Sequence, residues 1–138
     1  MGTYYKAVNT SRREFIEPST FGQTGKVQEF TEEPAGIMEA LALLLLEGRD
    51  GDIEGRWAGD NIIFASVYGK EDDRGYTLYH NVRHDLSYEN IGPQVIHHMA
   101  QSSITKQRLI ERAQHSRFVL QATLDELGIV WREEDQDA

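Results

Sequence analysis

His80 and His84 stand four residues apart in a stretch, residues 76–84, where Leu78 and Val82 repeat at the same interval. Helical spacing of four puts both imidazoles on one face, where they could share a metal ion, with Asp85 or a distant carboxylate completing the set. Asn81 occupies the place of the glutamate that an H-E-x-x-H zinc protease uses as general base, so that arrangement is absent. The ordinary reading of the pair is histidines that are solvated or cap the core. His97 and His98 are adjacent, and neighbours on a helix diverge by about 100°, so they cannot easily share one ion. Asp50, Asp52, Glu54 and Gly55 reproduce the opening of a calcium loop. Asn61 stands where a bidentate glutamate must close it, which leaves a charged turn.

Nucleophilic and phosphate chemistry find no pattern. No Ser lies in a G-x-S-x-G elbow and the chain contains no Cys. Gly22-Gln23-Thr24-Gly25-Lys26 lacks both the spacing and the hydroxyl of a phosphate loop. Two strings remain. Gly55-Arg56-Trp57-Ala58-Gly59-Asp60 sets one large aromatic among small residues, a tight corner that Asp60 is expected to brace through backbone N–H groups. Where such a corner walls a pocket, the lining is expected to be Trp57 and Asp60 with Tyr4 and Tyr5, because pockets join aromatic walls to a few polar anchors. Arg108, Arg112 and His115 fall at intervals of four and three on a helix that also carries Lys106 and Arg117. A basic face of this kind is solvated, or it meets an anionic partner or the acidic surface of a second copy.

These groups need elements to hold them. Residues 3–8 and 13–17 carry β-branched and aromatic side chains on either side of Asn9-Thr10-Ser11, which predicts a hairpin, and residues 26–30 could add a short third strand. Pro34 suits the first turn of a helix that runs through residues 37–47 and stops at Gly48. Its leucines point around most of the circumference, which predicts a central helix buried on several sides. Residues 62–68 are apolar on both faces, the pattern of an inner strand. Pro93 opens a helix containing Val95, Ile96 and Met99. Leu109, Ala113, Ser116, Leu120, Leu124 and Leu127 then draw one stripe along a single helix of residues 105–127, stopped by Gly128. Residues 129–131 read as a terminal strand or an apolar plug. The expected fold class is α+β: a small, mainly antiparallel sheet packed on a buried helix, with a helical C-terminal third. Residues 1–132 form one domain on this reading and residues 133–138 an acidic tail.

The 138 residues, 39% apolar and 27% charged, suffice for one core without a metal or disulfide staple. Fourteen Lys and Arg against 23 Asp and Glu leave a formal charge of −9, which repels phosphate backbones and argues against general nucleic-acid binding. The absence of Cys fits a reducing compartment. The longest strongly apolar run, residues 40–46, falls far short of the roughly 20 residues of a membrane span. The opening residues show no basic-then-apolar leader, so a cytoplasmic location away from membranes is expected.

The ordered pieces Met1-Gly2-Thr3-Tyr4-Tyr5-Lys6-Ala7-Val8-Asn9, Arg13-Glu14-Phe15, Trp57-Ala58-Gly59-Asp60 and Asp85-Leu86-Ser87 together resemble a family of small uncharacterised bacterial and bacteriophage proteins. The resemblance covers roughly the first two thirds of the chain and implies a common fold, with no activity to transfer. With each catalytic pattern failing, the expected role is a non-enzymatic protein-binding or accessory protein, of an inhibitor or immunity type. It would need no cofactor, would present its acidic surface or the Trp57 region to a protein partner, and could form a homodimer through the 105–127 helix. The alternative is a small-molecule or metal-binding enzyme using His80, His84, Asp60 and Asp85. A third reading, nucleic-acid binding through Arg108, Arg112 and Arg117, has the net charge against it.

Overall fold

The computed structural model describes residues 5–23, 35–49, 51–66, 87–115 and 117–132. His80, His84, Asp85, Tyr4, Pro34, the third strand expected at residues 26–30 and the acidic tail lie outside the described residues.

Four strands among these residues, β1 (Tyr5–Asn9), β2 (Glu14–Ile16), β3 (Ile62–Ser66) and β4 (Glu89–Asn90), form one sheet in the order β3-β1-β2-β4. β1 runs antiparallel to β2 and β3, and β4 runs parallel to β2, so the sheet is mixed and mainly antiparallel. The expected hairpin is present, with Asn9 opposite Glu14. Its turn is bolted to the entrance of β3: Thr10 N donates to Asn61 O at 3.0 Å and Asn61 N donates to the Ser11 hydroxyl at 3.0 Å. Period-two alternation sends Ala7 and Ile16 to the main core and Val8, Phe15 and Ala65 to a second buried cluster on the other face. β3 is an edge among the described strands rather than the inner strand that its composition suggests. Its register sets Phe64 opposite Ala7, yet Phe64 remains 47% exposed, with its ring meeting the edge of Tyr5 at a centroid distance of 6.4 Å.

A 3-10 turn at Pro18–Phe21 and four α-helices, α1 (Ile37–Leu44), α2 (Gly92–Met99), α3 (Ser103–Ala113) and α4 (Phe118–Glu126), complete the α+β fold among the described residues. α1 is shorter than expected and buries a single face made of Ile37, Ala40, Leu41 and Leu44, whereas Leu45 and Leu46 are exposed. The physical reason lies in its last carbonyls. Gly55 N donates to Leu43 O at 2.9 Å and Trp57 N to Leu44 O at 2.8 Å, so the following loop, instead of another helical turn, satisfies them. Gly55 is needed there: its φ is +81°, and a Cβ would collide with the Arg49 carbonyl. At the other end, the buried Gln23 accepts from Ile37 N at 2.9 Å.

The single helix expected over residues 105–127 is two helices. Gln114 N and His115 N bond back three residues, to Glu111 O and Arg112 O, which tightens the end of α3. Arg117 then leaves helical geometry at φ −103° and ψ 79°. The bend folds Leu120 and Leu124 onto the same core as Leu109 and Ala113, and Gln121 Nε2 caps the freed Ala113 carbonyl at 2.7 Å. α2 begins with Pro93 in its first turn, and Gly128 at φ +73° terminates α4, both as expected. Ile129 and Trp131 pack against the core as a plug, with no strand assigned to them.

Leu44, fully buried, and Leu46, exposed, separate the core face of α1 from its solvent side. Leu44→Ala is expected to cost about 2–5 kcal/mol and Leu46→Ala no more than ~0.5 kcal/mol, measured by urea unfolding. Equal losses at the two positions would refute this division.

Candidate functional site

The corner at residues 51–60 joins α1 to β3, and Trp57 at its centre is fully buried. The indole Nε1 donates to Glu14 Oε1 at 2.9 Å, from a strand 43 positions earlier in the chain. Arg56 Nε donates to the same oxygen at 3.0 Å, and its Nη2 donates to Oε2, which makes the carboxylate–guanidinium pair bidentate. Burial by itself would raise the pKa of Glu14. The hydrogen bonds from Arg56 and Trp57, together with the positive charge of Arg56, outweigh burial and hold it below the ordinary value of 4.5. The same contact raises the Arg56 guanidinium. The indole is thus committed to the interior, and the knot holds the sheet to the corner.

Asp60 is engaged as well. Its Oδ2 accepts from Asn9 Nδ2 at 2.9 Å and from Arg12 Nε at 3.0 Å, so it ties the corner to the hairpin turn through side chains rather than through the backbone N–H groups expected of it. Tyr5 is half-buried beside Phe64 on β1. Of the two arginines expected to share a basic face, Arg108 is exposed. Arg112 is half-buried, and its Nη1 donates to Phe21 O at 2.8 Å and Ala35 O at 2.9 Å. That guanidinium fastens α3 to two points of the chain far from it in sequence, a structural commitment that spacing along a helix cannot reveal.

An open cleft of about 800 Å³ lies beside the corner. Asp52 and Ile53 enter it from the corner, Pro93, Gln94, His97, His98 and Gln101 from α2 and the turn after it, and Glu126 and Leu127 from the end of α4. Helical periodicity explains the α2 contribution, since positions 94, 97, 98 and 101 follow one another at intervals of three, one and three along one side. Ile53, Pro93 and Leu127 are its apolar members and Asp52 and Glu126 its carboxylates. His98 Nε2 stands 3.9 Å from Glu54 Oε1 at the same margin. No group of three or more His, Asp or Glu side chains that could hold a metal ion occurs among the described residues. The arrangement suits a cation with an apolar stem: carboxylates for the charge, amides for hydrogen bonds and a greasy contact for the methylenes.

The histidine pair and Asp52 were visible in the sequence, but as a divergent dipeptide and a failed calcium loop. Glu126, Gln101 and Ile53 carried no signal, because nothing along the chain indicates that α4 ends against α2 and the corner.

Comparison of the chain with protein-family models, curated proteins and solved structures gave no match.

Glu14→Gln keeps the shape of the side chain and an acceptor for Trp57 but removes the charge facing Arg56. It is expected to cost about 2–3 kcal/mol at pH 7. Because the folded-state pKa of Glu14 lies below its unfolded value near 4.5, its contribution is complete above that value and is lost as pH falls through the folded one. The stability gap between the parent and Glu14→Gln should therefore shrink between pH 5 and pH 2, roughly the window that a lowered carboxyl pKa defines. Urea unfolding across that range checks this, and a gap that widens on acidification contradicts it.

Proposed function

We propose that this chain is a non-enzymatic binding protein that receives a basic side chain of a protein partner in the cleft between the corner, α2 and α4. The observation that carries the reading is the composition of that cleft, which Asp52 and Glu126 line together with Ile53, Pro93 and Leu127. A Lys or Arg side chain has the matching anatomy, an aliphatic stem and a cationic head. The formal charge of −9 extends the same preference over the whole molecule, since a long-range negative field raises the encounter rate with basic partners. An accessory role of inhibitor or immunity type in a bacterial or bacteriophage setting is part of this proposal, supported by the sequence resemblance described above. So is a cytoplasmic setting, which the lack of Cys favours. Among the described residues no helix is long and apolar enough to cross a membrane.

A second reading uses the same cleft. Its volume lies in the range of small-molecule sites, and the His98–Glu54 pair offers histidine and carboxylate chemistry at residues other than His80 and His84. On that reading the occupant is a free organic cation, acted upon or merely held.

Titration of the isotope-labelled protein with acetyl-Ala-Arg-Leu-Arg-Ala-amide, followed by amide NMR, separates the readings. The peptide is expected to shift Ile53, His97, His98, Gln101 and Leu127, with the effect falling as salt is raised to roughly 0.3 M. Its acidic counterpart, acetyl-Ala-Glu-Leu-Glu-Ala-amide, should leave these signals in place. Asp52→Lys should abolish the response. Agmatine producing the full response at lower concentration than the peptide would favour the free cation, and silence toward both probes would overturn the cleft as a cation site.

A further inference from the structure

The outward side of α4 is built unlike that of a helix meant for water. Phe118 is 77% exposed and Val119 46% exposed, and Ala122, one turn further, is exposed as well. The inward side carries Leu120, Thr123 and Leu124, all buried, so α4 is apolar on both of its faces over its first half. Single exposed apolar residues are common, but an aromatic and a β-branched side chain together at the start of one short helix form a patch.

The charges at its two ends are reversed with respect to the helix dipole. Arg117 occupies the N-cap, no acidic residue lies in the first turn, and no basic residue lies in the last. The last turn instead holds Asp125 and Glu126, both exposed. A helix dipole favours the opposite distribution. Within the chain, Asp125 is compensated by Trp131 Nε1 at 2.9 Å and by Arg132 at 3.7 Å. Along the helix the order is basic, apolar, acidic, with Arg117 half-buried and the apolar and acidic members exposed.

We infer that this face of α4 is a homodimer contact, in which α4 of one copy packs antiparallel on α4 of a second copy. A sequence that reads basic, apolar, acidic along a helix complements itself when reversed. Around a two-fold axis at Ala122, Phe118 of each copy covers the last turn of the other helix, and Arg117 of each meets the acidic end of the other. Antiparallel packing also sets each helix dipole against its opposite. The small Ala122 at the crossing point lets two helices approach to roughly 8 Å. The contact is isologous, as two-fold dimers require, and involves α4 alone rather than one helix spanning residues 105–127. Its apolar part is separate from the cleft, since Phe118, Val119 and Ala122 do not line it, and the two surfaces meet at Glu126.

Sedimentation equilibrium from micromolar to millimolar protein tests it. A reversible monomer–dimer equilibrium is expected. Phe118→Asp should weaken association about 100-fold, as removal of an aromatic interface anchor does. That substitution puts an acid at the start of a helix, where it favours the fold, so lost association cannot be ascribed to unfolding. Ala122→Arg should act in the same direction, with far-UV circular dichroism unchanged. Because the chain has no Cys, Ala122→Cys supplies one thiol per copy, and mild oxidation is expected to trap the dimer. Gln107→Cys, on the exposed side of α3, should not be trapped at a comparable rate. A monomer at all concentrations, a dimer indifferent to Phe118→Asp, or equal trapping at the two positions would overturn the inference.

Discussion

A buried carboxylate organises this protein. Glu14 lies on the central hairpin and receives the indole N–H of Trp57 and the guanidinium of Arg56, so one side chain connects the sheet to the corner that follows α1. Burying an ion is costly unless its partners satisfy it, and here both oxygens have donors. The consequence runs outward in two directions. With Trp57 held in place, its own N–H and that of Gly55 reach the last carbonyls of α1 and end that helix. With the corner fixed, Asp60 meets Asn9 and Arg12, and Ile62 starts β3 opposite Asn9 of β1. Contacts from the six-residue string at residues 55–60 thus reach α1, β1 and β2, and the next residue, Asn61, leads into β3.

Arg112 plays the corresponding part for the C-terminal helices. Its two hydrogen bonds to the carbonyls of Phe21 and Ala35 hold α3 over the 3-10 turn, where Gly22 leaves no room for a side chain: a Cβ there would lie 2.8 Å from both Arg112 and Leu120. The break between α3 and α4 follows from the same closeness. A straight helix would carry Leu120 and Leu124 away from the core they join. Bending costs backbone hydrogen bonds, and Gln121 restores one of them at the Ala113 carbonyl.

The cleft is a by-product of these placements. It opens where the corner, α2 and the end of α4 converge without filling the space between them, and its lining inherits the charge of the chain. Binding surfaces built in this way owe their position to the scaffold and their selectivity to a few side chains, which is why function follows the site rather than the fold class.

Much of the scaffold was legible in the residues. The hairpin announced itself through turn chemistry between two β-rich stretches, α2 through Pro93, and the end of α4 through Gly128; each is a local preference that acts within one or two turns of the chain. The lack of Cys and the charge of −9 likewise belong to the sequence alone. What it could not disclose is which side of a uniformly apolar segment faces inward. Leu44 and Leu46 are chemically identical, and only the carbonyls claimed by Gly55 and Trp57 decide that one is buried and the other exposed. Likewise Arg108 and Arg112 look equivalent on a helical wheel until the carbonyls of Phe21 and Ala35 arrive beside one of them. Local preference sets where helices and strands start and stop; burial and pairing depend on partners far away in the chain, which folding alone brings together.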